Sequence, residues 1–317
     1  MRVLITGMEG FVGSHLAEYA LSQGAQVYGT ILDLTCQENL ASLKGLKKYQ
    51  LDICDFEKTS KLIRQIKPDS IFHLAAQSNV IASQNIAEET LKINILGNLN
   101  ILEASRKLSK QAKILIIGSA NEYGKVKLSE LPIKENQALR PDNPYAVSKV
   151  CQDLMGVYYY KTYKLPIIIV RPFNHIGPRQ SDSFVCSDFA SQIAKIELRQ
   201  QKPIIKVGNL SFKRDFTDVR DIVKAYWLAI NKGKPGEVYN LGSGKVVAIK
   251  QILKYLLQMT NKSGIKIKVL NKKTRTKDNP TLIGDYKKIK KHTGWEPKIP
   301  LADTLQATLD YWRVKLS

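Results

Sequence analysis

Residues 6–13 read T-G-M-E-G-F-V-G, directly after the apolar run Val3-Leu4-Ile5. Gly7, Gly10 and Gly13 stand three apart. Lacking a Cβ, glycine lets a turn take positive φ and lets a phosphate come close to the backbone. Residues 12–22 carry helical periodicity, with Leu16, Ala20 and Leu21 on one side. A helix starting here aims its free N–H groups and positive dipole end at that phosphate. A glycine trio alone is weak. Between the first strand and the first helix of an alternating chain it is a strong dinucleotide-binding signal.

The alternation extends outward from that turn. Residues 2–6, 26–31, 49–51, 70–75 and 113–117 read as strands, and residues 58–65 and 90–106 as helices between them. Such spacing predicts a parallel sheet with helices on both faces, its strands nearly continuous in apolar residues because both faces are covered. A further strand at 167–170 precedes R-P-F-N-H-I-G-P-R-Q (171–180), whose Pro and Gly residues end regular structure. Beyond it come a helix near 189–200, a strand at 204–207, a helix from Asp218, and a tail with two more helices around a Lys-rich segment. The expected fold is α/β, a Rossmann-like doubly wound parallel sheet with a smaller C-terminal substrate-binding domain. Its boundary is placed at 1–170 against 171–317, with some later segments returning to the first domain.

The 317 residues carry a net charge of +21, unevenly spread. Residues 1–150 hold 18 Lys/Arg against 15 Asp/Glu, and residues 151–317 hold 31 against 13. A basic second half attracts anionic ligands, nucleotides included. Many of its lysines punctuate helical patterns and read as a solvated face, and no aromatic-interleaved basic stripe is present, so nucleic acid is not an expected partner. The apolar runs are too short for a membrane span, and the four cysteines form no C-x-x-C pair. Free thiols, no metal site and a cytoplasmic location are the expectation.

Tyr145-Ala146-Val147-Ser148-Lys149 puts a phenol and an ammonium one helical turn apart on one face. An unperturbed tyrosine, with a pKa of about 10, is a poor acid-base near neutrality, and a nearby cation favours its phenolate. Ser119, at the end of the 113–117 strand, adds a hydroxyl. At the end of the second strand an acid would bind a ribose 2′-OH and an Arg a 2′-phosphate. The stretch Thr30-Ile31-Leu32-Asp33 offers no Arg and a late acid, so NAD and NADP both stay open.

With the glycine turn, the Ser and the Y-x-x-x-K pair in place, the chain resembles the extended short-chain dehydrogenase/reductase family, in its nucleotide-sugar branch. The resemblance runs from T-G-M-E-G-F-V-G-S-H to G-W-E-P-K-I-P-L (294–301). It implies that Ser119 and Tyr145 act on a sugar carbonyl or hydroxyl while Lys149 holds the nicotinamide ribose and lowers the Tyr pKa. Gly7, Gly10 and Gly13, with Phe11 and Val12, would cradle the pyrophosphate of NAD or NADP. Asp52 and Ile53 would meet the adenine, and Leu74, Ala75, Ala76 and Gln77 would line the cofactor's path, while Asp33 either reaches the ribose of the cofactor or caps a turn. It also implies a homodimer packed through the helices around 90–106 and 145–160.

S-A-N-E-Y-G (119–124) narrows the reaction. Dehydratases of this branch place an acid two positions after the hydroxyl to take a carbon-bound proton. Here that position is Asn121, an amide, and Glu122 is displaced by one, which along an extended segment turns it to the other face. A reductase or an epimerase fits and a dehydratase fits poorly. R-P-F-N-H-I-G-P-R-Q and R-D-F-T-D-V-R-D (214–221) are similar to the segments of reductases of GDP-4-keto-6-deoxy-D-mannose. This implies a GDP-sugar substrate, with Asn121, Asn174, Arg214 and Arg275 on the substrate side. It further implies GDP-D-rhamnose or its C4 epimer, GDP-6-deoxy-D-talose, as product. A 4-epimerase holding NAD+ tightly, a GDP-mannose 4,6-dehydratase, and a non-catalytic nucleotide-sensing or RNA-associated protein remain as alternatives.

Overall fold

The computed structural model describes residues 1–35, 37–108, 111–270 and 281–317. Its centre is a parallel sheet of seven strands. The first part of the chain runs β1 (Arg2–Thr6), α1 (Phe11–Ser22), β2 (Gln26–Ile31), β3 (Lys47–Gln50), α2 (Phe56–Ile66) and β4 (Ser70–His73). It continues through α3 (Val80–Asn85), α4 (Ala87–Leu91), a π-helical turn (Lys92–Leu96), α5 (Gly97–Arg106), β5 (Lys113–Ile117), α6 (Pro144–Tyr163) and β6 (Ile167–Pro172). Then follow β7 (Asn174–Ile176), α7 (Val185–Glu197), β8 (Ile204–Val207), β9 (Lys213–Arg214), β10 (Phe216–Asp218), α8 (Val219–Lys232) and β11 (Val238–Leu241). The end of the chain adds β12 (Val247–Ala248), α9 (Ile249–Gln258), β13 (Lys266–Val269), β14 (Thr281–Leu282), α10 (Lys287–Thr293) and α11 (Leu301–Leu316).

The sheet order is β11-β6-β5-β4-β1-β2-β3, all parallel, with Val3 opposite Val27, Leu4 opposite Ile71 and Ile116 opposite Ile169. The order reverses between β1 and β4, and the crevice beyond the carboxyl ends of those strands is where doubly wound sheets take nucleotides. Two apolar layers flank the sheet. One packs α1 and α8 through Leu16, Ala17, Ala20, Ile222, Val223 and Tyr226, and the other packs α2, α5 and α6 through Leu62, Ile63, Ile101, Leu102 and Tyr159. A third cluster, drawn entirely from residues after β6, joins α7, α9 and α11 through Phe189, Ile193, Ile252, Leu256, Leu305 and Trp312.

Three local expectations change. The third strand lies two residues earlier than the apolar pattern indicates, because β3 is an edge strand whose residues are largely exposed and its pairing with β2 sets its limits. The helix expected at 90–106 starts at Ala87 and is interrupted by the π-helical turn. The tail carries three helices among the described residues, since Lys287–Thr293 forms a short one closed by Gly294 in the left-handed region at φ 77°. In addition, β11 inserts beside β6 and completes the main sheet.

Candidate active site

The glycine turn is packed so tightly that side chains do not fit. Gly7 takes φ 65°, and a Cβ there would stand 2.9 Å from the Ala75 Cα. A Cβ on Gly13 would stand 2.3 Å from the Gly7 carbonyl oxygen. The turn is therefore pressed against the segment after β4. Thr6 Oγ1 fastens that segment, accepting from Leu74 N at 3.1 Å and Ala75 N at 3.0 Å and sharing a hydrogen bond with His73 Nδ1 at 2.9 Å. Burial, then the charge of Lys149, pulls His73 down to about 3, so its ring is neutral. Phe11 opens α1 and stacks on His175. Ile53 is buried, and Asp52 Oδ1 accepts from Cys54 N at 2.9 Å in a local turn. Asp33 likewise uses Oδ1 for Thr35, at 2.8 Å to its N–H and 2.7 Å to its hydroxyl.

Ser119, Tyr145 and Lys149 converge at the carboxyl end of β5. Asn143 caps α6 by accepting from Ala146 N at 2.9 Å, and Pro144 occupies the first turn, so the helix places Tyr145 and Lys149 on its buried side. Lys149 Nζ donates to Ile117 O and to Gln152 Oε1, both at 2.8 Å, and lies 5.7 Å from the Tyr145 ring centre. Burial lowers it to about 8, against the opposing pull of Glu122 and Asp153. Tyr145 departs from expectation. Burial pushes its phenol up to about 12, offset in part by a hydrogen bond from Ser119, so the protein alone holds it neutral.

The hydroxyl of Ser119 is oriented by Asn121. Its oxygen accepts from Asn121 N and from Asn121 Nδ2, each at 3.1 Å. A serine hydroxyl has two acceptor positions and one proton. With both positions filled, the proton is left to point at Tyr145 or at an oxygen in its place.

The segment after Ser119 is not extended, as expected above, but one turn of 3-10 helix, Ala120–Tyr123, with Ser119 as its N-cap. Glu122 folds back and accepts from Ser119 N at 2.6 Å. S-A-N-E is a capping-box pattern, and that signal in the sequence foretells the fold-back. Glu122 is fully buried beside Arg171, 3.1 Å away, and Arg171 also binds Asp153 at 2.7 Å. Burial, then the neighbouring Asp153 carboxylate, raises Glu122 well above the usual range. Arg171 donates as well to the Tyr123 hydroxyl at 3.0 Å, and Tyr123 donates to Asn240 Oδ1 at 2.7 Å, tying β6 and β11 beneath the site.

Sequence reasoning passes over two more residues. Within the π-helical turn, Asn94 donates to Ser148 Oγ at 2.8 Å, accepts from Gln77 N at 2.8 Å, and accepts at its carbonyl from Gln152 Nε2 at 2.8 Å. The chain Gln77–Asn94–Gln152–Lys149 thus links the segment after β4 to Lys149. Such π-bulges occur often at functional sites, and no spacing rule foretells them.

Residues 4–308 match the family described as GDP-mannose 4,6 dehydratase. The chain belongs to that family. It is 31% identical to the GDP-6-deoxy-D-mannose reductase of Pseudomonas aeruginosa over 99% of this chain and 98% of that one. The structure of RMD from the same organism, complexed with NADPH, superposes with a TM-score of 0.85 at 31% identity, covering 99% of both chains. UDP-glucose 4-epimerase from Thermotoga maritima, with UDP-glucose, gives 0.90 at 30% identity over the full length of both. This member of the GDP-mannose 4,6-dehydratase family is an NAD(P)-dependent enzyme of the extended short-chain dehydrogenase/reductase group. The glycine cradle and the orphaned buried Gln77 Oε1 beside it fit a dinucleotide.

The segments expected on the substrate side form short strands. Asn174 is exposed on β7 and pairs with Phe216, two residues beyond Arg214. Arg214 lies on β9, its guanidinium 5.0 Å from the Phe212 ring centre and its Nη1 donating to Lys213 O at 2.9 Å. Asp215 binds Ser243 N at 2.6 Å, Gly244 N at 3.1 Å and Gly284 N at 3.2 Å. Asp218 caps α8 and pairs with Arg220 at 2.7 Å. Arg275 lies outside the described residues. Among the described residues, no helix is long and apolar enough to cross a membrane.

Proposed function

We propose that the protein reduces the C4 carbonyl of GDP-4-keto-6-deoxy-D-mannose with NADH or NADPH. The observation that carries this reading is the state of the two acids. Tyr145 is held as a neutral phenol, the form that gives a proton, and Glu122 is bound into the Ser119 turn and the Arg171 cluster. Elimination needs a carboxylate free to take a carbon-bound proton, and the turn offers the Asn121 amide instead.

The glycine turn would hold the dinucleotide, whose reduced nicotinamide, when bound, would supply hydride for C4. Ser119 donates its remaining proton to the carbonyl oxygen and holds it in place. Tyr145 then protonates that oxygen as charge develops on it, a step general acids accelerate by about 10²–10⁴. Lys149 stays charged behind the phenol and favours the phenolate left after transfer. Asn174 and Arg214 are assigned to the substrate diphosphate, where a guanidinium can bond two oxygens at once. The apolar cluster of α7, α9 and α11 is assigned to the substrate domain. A homodimer is assigned to the α5–α6 face, where Val147, Leu154 and Tyr158 are exposed along α6.

The name of the Pseudomonas relative supports the substrate, and 6-deoxy-D-mannose corresponds to D-rhamnose. A 4-epimerase is the second reading, favoured by the likeness to the Thermotoga enzyme. It would show no net consumption of reduced cofactor, so cofactor oxidation separates the two readings. The test is consumption of NADH or NADPH with GDP-4-keto-6-deoxy-D-mannose and with GDP-mannose in parallel. Oxidation with the keto-sugar alone is expected. Conversion of GDP-mannose with no oxidation of the reduced cofactor would overturn the reading.

A further inference from the structure

NAD and NADP differ by a phosphate on the adenosine ribose 2′-oxygen, and in this fold that oxygen is read at the carboxyl end of the second strand. Glu9, inside the glycine turn, reaches that place. Its Oε1 accepts from Leu32 N at 2.9 Å, one residue beyond β2, and its carbonyl accepts from Asn39 Nδ2 at 3.0 Å. Its Oε2 is buried without a hydrogen-bond partner. A buried acceptor left without a donor is unfavourable, and a ribose hydroxyl bound here would supply one. Asp33, the other acid here, directs Oδ1 into its own turn at Thr35.

The surrounding charge points the same way. Residues 30–40 contain no Lys or Arg, and their charged members are Asp33 and Glu38. Among the described residues, two cations reach this loop from elsewhere. Lys315 is paired with Glu38 at 2.9 Å, and Lys48 donates to Gln37 Oε1 at 2.7 Å. A phosphate monoester brings a charge of about −1.5 to −2 at pH 7, which a neighbouring carboxylate repels.

We propose that Glu9 accepts the adenosine ribose 2′-hydroxyl and repels a 2′-phosphate, so that the protein prefers NAD(H) to NADP(H). This rests on the nicotinamide reading above and is independent of the sugar. The test is calorimetric titration of NAD+ and of NADP+ into the purified protein, without sugar, for the wild type, Glu9→Gln and Asp33→Asn. Glutamine keeps an oxygen for the Leu32 N–H while removing the charge. The wild type should bind NAD+ at least ~10-fold more tightly, about 1.4 kcal/mol. Glu9→Gln should narrow that ratio, chiefly by tightening NADP+. Equal binding, tighter NADP+, or a ratio unchanged by Glu9→Gln would overturn the proposal. So would equal weakening of both nucleotides, which would assign Glu9 to holding the turn, or a ratio that moves in Asp33→Asn alone. Binding of neither nucleotide would sink the nicotinamide reading itself, an outcome distinct from a wrong preference.

Discussion

The turn that holds Ser119 and the strands that hold Arg214 and Asn174 are built by opposite means. The first is buried and over-determined: Ser119 is 6% exposed, Glu122 and Tyr123 are 0%, and a capping box, an ion cluster and a buried tyrosine converge on four residues. The second rests on strands of two and three residues, with Asn174 exposed and one carboxylate, Asp215, gathering the turns at Ser243 and Gly284. On the proposed assignment, reaction geometry is fixed before substrate arrives, while the surface that selects the sugar nucleotide is assembled from short strands and the loops between them. Rigid support suits chemistry that loses rate with small displacements, and loops on a rigid scaffold suit recognition.

If that division holds, substitutions in the first region should act on turnover and stability, and those in the second on KM. Tyr145→Phe should have the largest effect, lowering kcat by about 10³-fold or more, within the range of general acid catalysis. Nucleotide binding measured by calorimetry should persist. Asp153→Ala removes one of the two carboxylates that Arg171 binds in the buried cluster; Glu122 remains, so the loss should stay below the about 3–5 kcal/mol of a buried pair broken outright. Thermal unfolding should show a lowered Tm, and an unchanged Tm would mean that the cluster is not what holds the turn. Arg214→Ala forfeits charge-assisted bonds worth about 1.5–3 kcal/mol, so KM for the sugar nucleotide should rise by about 10- to 100-fold with kcat nearly unchanged. A fall in kcat alone would erase the distinction between the two regions.

The pH dependence is the gentlest of these. Lys149, lowered to about 8 by burial, is charged below that pH and loses its charge as pH rises through it. Reduction should therefore decline on the alkaline side of about 8, and Tyr145, at about 12, stays protonated throughout. A profile of kcat that is flat from pH 6 to 9 would mean that the charge on Lys149 does not assist the step.

The two regions also differ in how far the sequence announces them. Gly7 and Gly13 are legible because steric exclusion requires glycine there, and Tyr145 with Lys149 because one helical turn separates them. The α/β alternation is legible because buried parallel strands are written as apolar runs. Glu122 is misread by assuming an extended segment, although the S-x-x-E pattern around it encodes the turn. Asn94 and Gln152 carry no such local mark, since Asn94 is presented by the π-helical turn and Gln152 by α6, and only their packing brings them together. The β7 and β9 strands escape notice for a similar reason: at two or three residues, pairing partners rather than periodicity decide that they are strands.

The measurement to make is the fate of isotope in the product. The protein would be incubated with GDP-4-keto-6-deoxy-D-mannose and nicotinamide cofactor deuterated at its hydride position, and the sugar examined by NMR and mass spectrometry. A reductase built as described here predicts one deuterium at C4, none elsewhere, and one equivalent of cofactor oxidised. A parallel reaction in D₂O with unlabelled cofactor should leave every sugar carbon unlabelled. Solvent deuterium at C5, or sugar turnover with no cofactor consumed, would contradict it.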